Sequence, residues 1–219
     1  TPGVGAAPFL SPSGLVGPIP TGVREAGANG LRIDDRGQLV FADSGTRVIA
    51  RMDLATREKT VLAATYQGKR FNSPNDLVLS RTGAIYFSDP PYGFSEADAS
   101  PLREVPVNGL YRIAPNGDVA LLDGSHKRPN GVALSPDERT LYLALSDEAQ
   151  PQALAYSLDA NGMPTGSRLF HDMQSQFAQG RPGLPDGIKV DRAGRVYCTG
   201  PGGVHVCTPE GELLGIIAT

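Results

Sequence analysis

Tryptophan is absent from the 219 residues, and cysteine occurs only twice, at Cys198 and Cys207. Two thiols are not a disulfide framework. They could bridge across a hairpin, since TGPGGVHV between them turns back on itself, or stand as two free buried thiols, the commoner state for so few. No apolar run approaches the ~18 residues of a membrane-spanning helix, so no membrane partner is expected. A basic surplus is missing too: 20 Lys and Arg stand against 23 Asp and Glu, a net charge of −3 with no basic stripe, which argues against nucleic acid. The opening TPGVGAAPFLSPSGLVGPIP has neither a charged n-region nor a continuous apolar h-region, so no secretory leader is expected there. It also has no initiator Met, so a processed or cut chain is expected.

Glycine (27) and proline (19) are plentiful, and they punctuate short apolar runs, the pattern of an all-β chain. The runs repeat. Asn29 begins NGLRIDDRGQLVFAD, Asn75 begins NDLVLSRTGAIYFSD, Asn130 begins NGVALSPDERTLYLA, and Asp186 begins DGIKVDRAGRVYCTG, with starts 46, 55 and 56 residues apart. Each copy opens on Asn or Asp, alternates apolar residues with period two, turns through polar residues, and returns in a second apolar run. Two further strand segments follow each hairpin, among them RVIARMDL and KTVLAA after the first. Four strands per unit at this spacing predict a β-propeller with about four blades in this chain; a β-sandwich is the second choice, but it needs no such regular repeat. Residues 1–28 read as a Pro/Gly-rich linker or partial blade, and 29–219 as propeller blades in one domain. Residues 94–108 read as a polar surface insertion.

In a propeller the innermost strand of every blade lines a central channel. The residue that opens that strand then lies at the channel mouth, which places Asn29, Asn75, Asn130 and Asp186 in one neighbourhood. The hairpins return Ser88-Asp89-Pro90-Pro91-Tyr92 toward Asn75, and Ser146-Asp147 toward Asn130. A ring of amide and carboxylate oxygens suits a hard divalent cation, Ca²⁺ first, with Mg²⁺ and Mn²⁺ as alternatives. His126, His171 and His205 have no ligand spacing, which disfavours Zn²⁺ without removing it. Asn-Gly and Asp-Gly are also ordinary turn pairs, and any single copy reads as a turn.

The stretches RFNSPNDLVLSRTGAIYFSDPPYG, RPNGVALSPDERTLYLA and GLPDGIKVDRAGRVYCTGPGGVHVCTPEGELLGII resemble the senescence marker protein/gluconolactonase/luciferin-regenerating enzyme family, and its bacterial gluconolactonase branch in particular. The resemblance covers most of residues 29–217 in family order. It implies a six-bladed propeller with one divalent metal at the mouth, and hydrolysis of sugar-acid lactones and related esters. It implies Asn130 and Asp186 as metal ligands, and Asn75 facing the metal or the substrate. The family's early Glu, in a Glu-Gly-Pro motif, has no match here, and about four blades stand where six are implied. A segment of a longer protein is therefore expected. Charge counting agrees: Asn75, Asn130 and Asp186 carry one negative charge, and a tight site wants a second carboxylate. Glu25, Asp43, Asp89 and Asp147 are the candidates within the chain.

The lactonase reading gives Asp186 a catalytic role as proton acceptor for the attacking water. Asn75, Tyr92, Asn29 and Arg70 are its substrate-binding candidates, and a small-molecule lactone its partner. A cytoplasmic location is expected, with the periplasm as the alternative. The competing classes are a non-catalytic propeller binding a ligand or partner at its face, and a related aryl-ester or phosphotriester hydrolase.

Overall fold

The computed structural model describes Gly5 and residues 7–219. The first repeat forms β1 (Ala28–Ile33), β2 (Leu39–Asp43), β3 (Val48–Met52) and β4 (Lys59–Ala63), followed by a two-stranded ribbon of β5 (Thr65–Tyr66) and β6 (Lys69–Arg70). The second forms β7 (Leu77–Leu79), β8 (Ile85–Asp89), β9 (Gly109–Ile113) and β10 (Val119–Asp123). The third forms β11 (Pro129–Leu134), β12 (Thr140–Leu145), β13 (Gln152–Leu158) and β14 (Pro164–Asp172). After a short helix α1 (Gln174–Ala178), the fourth forms β15 (Ile188–Val190), β16 (Val196–Gly200), β17 (Gly203–Cys207) and β18 (Leu213–Ile217). Each repeat is one four-stranded antiparallel sheet paired in chain order, so the sheets are the blades of a β-propeller.

Period-two alternation explains how the blades stack. In β12, Tyr142 and Ala144 pack toward Ile188, Val196 and Cys198 of the fourth sheet, while Leu141, Leu143 and Leu145 pack toward Tyr86 and Leu110 of the second. In β8, Ile85 and Phe87 turn the other way, to Val40, Ala42 and Ile49 of the first sheet. A central blade is therefore apolar on both faces, which is why LYLAL carries no polar alternation. Phe71, Phe87 and Tyr111 form the densest knot, with ring centroids 5.0 to 5.5 Å apart. Each such buried side chain contributes roughly 1.5–3 kcal/mol of transfer free energy.

The first strands β1, β7, β11 and β15 each edge their own sheet and follow one another around the axis. At the mouth, successive sheets are joined backbone to backbone: Gly30 N–H donates to the Asn75 carbonyl at 2.7 Å, and Gly131 N–H to the Asp186 carbonyl at 2.9 Å. A Cβ on Gly30 would lie 2.8 Å from the Asn75 carbonyl oxygen, and one on Gly131 would lie 2.1 Å from that of Asp186. The register of β1 with β2 slips between Ala28 and Leu31, and that of β11 with β12 between Pro129 and Val132. The Asn-Gly pairs are thus bulges where neighbouring backbones touch, rather than turns.

The 94–108 segment is the irregular polar insertion expected, exposed along much of its length but pinned at four points. Phe94, Ser100, Val105 and Asn108 are buried, Val105 within the core shared by the first two sheets, and the Arg47 guanidinium lies over the Phe94 ring at 5.1 Å. Its polar composition hides four anchors, and the segment caps the end of the second sheet. Ahead of β1, Val23 bridges Phe94, and Arg24 N–H donates to the Gly93 carbonyl at 2.8 Å. The reading of residues 1–28 as linker or partial blade falls in part on residues 1–4 and 6, which lie outside the described residues. Among the described residues no helix is long and apolar enough to cross a membrane.

Candidate metal and substrate site

Asn130 is the second residue of β11 and is buried at the bulge. Its Nδ2 donates to the Ser146 hydroxyl at 2.9 Å, and that hydroxyl donates in turn to the Pro185 carbonyl. A hydroxyl has one proton. With that proton given to Pro185, Ser146 can only accept from Asn130, which fixes which way the carboxamide faces. The other end, Asn130 Oδ1, is buried without a hydrogen-bond partner. An orphaned buried carbonyl oxygen costs ~1–3 kcal/mol unless something meets it, and a hard cation is a fitting partner.

Asp186 stands two residues before β15, on the chain that Ser146 grips through Pro185. Its N–H donates to Thr199 Oγ1 at 3.1 Å, and the residue is exposed. Partial burial, then the charge of Asp76, lift this carboxyl above its ordinary value, while the Asn130 carboxamide and Lys189 pull it back. Asn75 is buried where β7 begins: its N–H donates to the Ser88 carbonyl at 2.9 Å, and its own carbonyl receives Gly30. The Asn75 carboxamide makes no hydrogen bond among the described residues. Tyr92, on the Pro90-Pro91 exit loop, reaches the same corner. Its hydroxyl donates to the Arg128 carbonyl at 3.3 Å. Burial pushes that hydroxyl up to about 12, with Ser146, Arg128 and Asn130 opposing and Asp186 adding to the rise.

The remaining candidates disperse. Asn29 is exposed on β1. Arg70 is exposed on β6, with its guanidinium on the Thr46 carbonyl at 3.1 Å and its N–H on Glu104 at 2.8 Å. Of the four candidate second carboxylates, Asp43 is buried and bonded to Lys59 at 2.5 Å, and Asp147 holds its own loop through Ala149 N–H at 3.1 Å. Asp89 is fully buried, accepts from Asn72 N–H at 2.7 Å, and is pushed up to about 7 by burial. For Glu25, burial raises the carboxyl, Arg24 opposes, and the Asp186 charge adds to the rise.

The sequence placed Ser146 near Asn130 but did not show its bond, the reach of Asp76, or the pairing of His171 with His205. Ser146 orients Asn130. Asp76 sits within the ring of first strands, between Arg32 at 3.8 Å and Lys189 at 3.7 Å. A signal for Asp76 existed: it fills the slot that is Gly30, Gly131 and Gly187 in the other repeats. His171 and His205, distant in sequence, meet in the core with Nε2 and Nδ1 2.9 Å apart. His205 Nε2 faces the Pro201 carbonyl at 3.1 Å, so it carries the proton there, and Nδ1 accepts from His171. Burial, first of all, holds both imidazoles below their ordinary value. Both cysteines are free and buried. Among the described residues no group of three or more His, Cys, Asp or Glu side chains could hold a metal ion. The chemistry here that suits a hard cation is Asn130 Oδ1, buried and unmatched, with the Asp186 carboxylate as its charged neighbour.

A groove of about 400 Å³ opens beside Asp186, between the Pro182–Leu184 loop and the Gly200–Gly203 hairpin. Its glycine floor leaves room for a small polar ring. A larger hollow of about 550 Å³ lies at the opposite ends of the strands, among the turns carrying Ser80, Arg112, Glu138 and Asp159. It mixes both charge signs, with Asp137, Glu138, Asp159 and Asn161 set beside Arg112 and Arg139.

A propeller blade set with a polar, carboxamide-lined mouth defines a class of protein, and comparison with known proteins narrows it. Residues 19–219 match the model of the SMP-30/gluconolactonase/LRE-like region family, and the chain belongs to that family. It is 47% identical to the gluconolactonase of Zymomonas mobilis over all of this chain and 62% of that protein. It superposes on the structure of a gluconolactonase from Xanthomonas campestris with a TM-score of 0.76 at 35% identity, over 89% of this chain and 63% of that one. A calcium-binding regucalcin from Agrobacterium tumefaciens shares the fold, with a TM-score of 0.55 at 20% identity over 86% of this chain and 72% of that one. The chain thus spans less than two thirds of the length of the two gluconolactonases.

Proposed function

We propose that the protein is a metal-dependent lactonase of the gluconolactonase type, opening sugar-acid lactones to hydroxy acids. The observation that carries this reading is the Asn130 carboxamide, locked by Ser146 with its oxygen buried and unmatched beside Asp186. The 47% identity to the Zymomonas gluconolactonase supports the substrate class. Asn130, Asp186 and Asn75 are the residues that would hold a divalent cation, Ca²⁺ in the first instance, with Mg²⁺, Mn²⁺ or Zn²⁺ as alternatives. Bound there, the cation supplies Lewis-acid polarisation of the lactone carbonyl.

The chain's own residues do the rest. Asp186 takes a proton from the water that attacks the acyl carbon. The ring C–O bond breaks, and the proton passes to the departing ring oxygen, which leaves a hydroxy acid. Asn75 donates to sugar hydroxyls, and the Tyr92 ring and hydroxyl form a half-apolar wall for the sugar. Asn29 and Arg70, dispersed from this corner, take no part in the step.

The experiment is Asp186→Ala and Asn130→Ala in the full-length protein, assayed on glucono-δ-lactone with and without EDTA. Loss of about 100-fold or more in kcat/KM for each variant, and chelator sensitivity of the wild type, are expected. Hydrolysis unchanged by either substitution and by chelation overturns the reading.

A further inference from the structure

We propose that Asp76 is a positioning residue for the mouth: its carboxylate supplies, without ligating, the second negative charge that a cation held by Asn130 and Asp186 needs, and Lys189 sets how much of that charge the cation feels. The inference rests on the metal reading above and goes beyond it, because it assigns a role to the one inner-strand slot where this chain departs from its own repeat.

Asp76 is held from four directions. Its Oδ1 accepts from Leu77 N–H at 2.9 Å, and its Oδ2 accepts from Val132 N–H at 3.1 Å. Arg32 approaches Oδ1 to 3.8 Å from β1, and Lys189 approaches Oδ2 to 3.7 Å from β15. One carboxylate therefore touches all four first strands, including β15, which is not a neighbour of β7. The Asp76 side chain is only 11% exposed, and two backbone N–H groups fix it, so it cannot swing out to become a ligand.

The two cations beside Asp76 differ. Both approaches are longer than a good charge-assisted hydrogen bond, ~2.7–2.9 Å. The Lys189 side chain is 58% exposed, and its ammonium donates to the Ile188 carbonyl at 2.9 Å, a closer contact than its approach to Asp76. Val132 and Lys189, which meet Asp76 Oδ2, lie two and three residues after Asn130 and Asp186, so the carboxylate stands close to both. A cation beside Asp186 is attracted by the negative charge of Asp76. Charge counting points the same way: Asn75, Asn130 and Asp186 supply one negative charge, and divalent-ion affinity follows the number of carboxylates a site presents. Asp76 brings the carboxylates near the mouth to two, with Arg32 and Lys189 offsetting part of its charge.

The test is direct titration of the metal-free full-length protein with Ca²⁺ by calorimetry, beside a thermal melt of each metal-free variant. Asp76→Asn keeps an oxygen acceptor but removes the charge, and should weaken Ca²⁺ binding about tenfold. Lys189→Met should tighten it about threefold, and Lys189→Arg should leave it within about twofold of wild type. The opposite signs are the diagnostic result, since a purely structural clamp loses affinity in both variants. An Asp76→Asn affinity within twofold of wild type overturns the inference, and so does a Lys189→Met variant that weakens binding. Should Asp76→Asn fail to fold, the sign of the Lys189→Met effect decides alone. A wild-type protein that binds no divalent ion removes the metal reading and this inference together. Ordinary wild-type binding with an unaltered Asp76→Asn removes this inference only.

Discussion

The Ser146 hydroxyl is spent twice, accepting from Asn130 Nδ2 at 2.9 Å and donating to the Pro185 carbonyl, so that one side chain couples the third blade's amide to the loop that carries Asp186. Groups that orient a ligand without touching the metal commonly matter about 10–100-fold. Ser146→Ala should weaken Ca²⁺ binding about tenfold in a calorimetric titration, because the Asn130 carboxamide is then free to rotate its oxygen away. Ser146→Thr, which keeps the hydroxyl, should recover most of the affinity. If Ser146→Ala binds as wild type does, the amide is oriented by something else.

Tyr92→Phe isolates the hydroxyl. Its 3.3 Å bond to the Arg128 carbonyl is long, and that carbonyl also accepts from Ser146 N–H at 2.9 Å, so the fold should lose no more than about 1 kcal/mol. The site should feel more. KM for glucono-δ-lactone should rise about fivefold with kcat within about twofold, the signature of lost uniform binding. A fall in kcat at constant KM would move Tyr92 from the wall into the reaction itself.

Asp89 makes stability depend on pH. Burial lifts its carboxyl to about 7, above the ~3.9 of an unfolded chain, so the folded state holds the proton more tightly. That contribution is complete below about pH 4 and is lost as pH rises through about 7. Asp89→Asn, which cannot ionise, should flatten the denaturant midpoint across this window and gain on wild type by ~2–4 kcal/mol at pH 8. Parallel pH profiles for the two proteins would show that Asp89 stays ionised in the fold.

Two glycines one residue after candidate ligands should behave in opposite ways. A Cβ at Gly131 meets backbone 2.1 Å away, whereas a Cβ at Gly187 meets nothing within 4 Å. Gly131→Ala should cost ~1–3 kcal/mol or more and reduce activity, and Gly187→Ala should be close to neutral in a thermal melt and in turnover. Equal effects would mean that the blades do not approach at the bulge as described.

The legible part of this molecule was its period. Four copies of an Asn/Asp-led hairpin predicted four sheets, and each later strand pair lies where its turn residues put it: β9 and β10 around Pro115-Asn116-Gly117, β13 and β14 around Asn161-Gly162. The nearness of Ser146 to Asn130 followed from hairpin geometry alone. What the string hid were relations between repeats. Asp76 looks like the second half of an Asn-Asp pair until its reach to Val132 and Lys189 is seen, and His171 and His205 are 34 residues apart yet bonded. The buried anchors of 94–108 were obscured by polar neighbours. Arg70 illustrates the reverse case: its closeness in sequence to Asn75 suggested a substrate contact, but ribbon β5–β6 carries it out to Thr46 and Glu104.

The layers between sheets have a mechanical consequence. Val40 and Phe87 sit in one shared apolar layer, Tyr86 and Leu143 in the next, and Tyr142 and Ile188 in the third, so neighbouring repeats share these interiors, while Phe41, Val48, Ala50 and Met52 pack on the far face of the first. Peeling away any one sheet wets the inner flank of its neighbour. Denaturation of the repeats is therefore coupled, and damage deep in one blade is felt at the rim of the next, where the carboxamides stand.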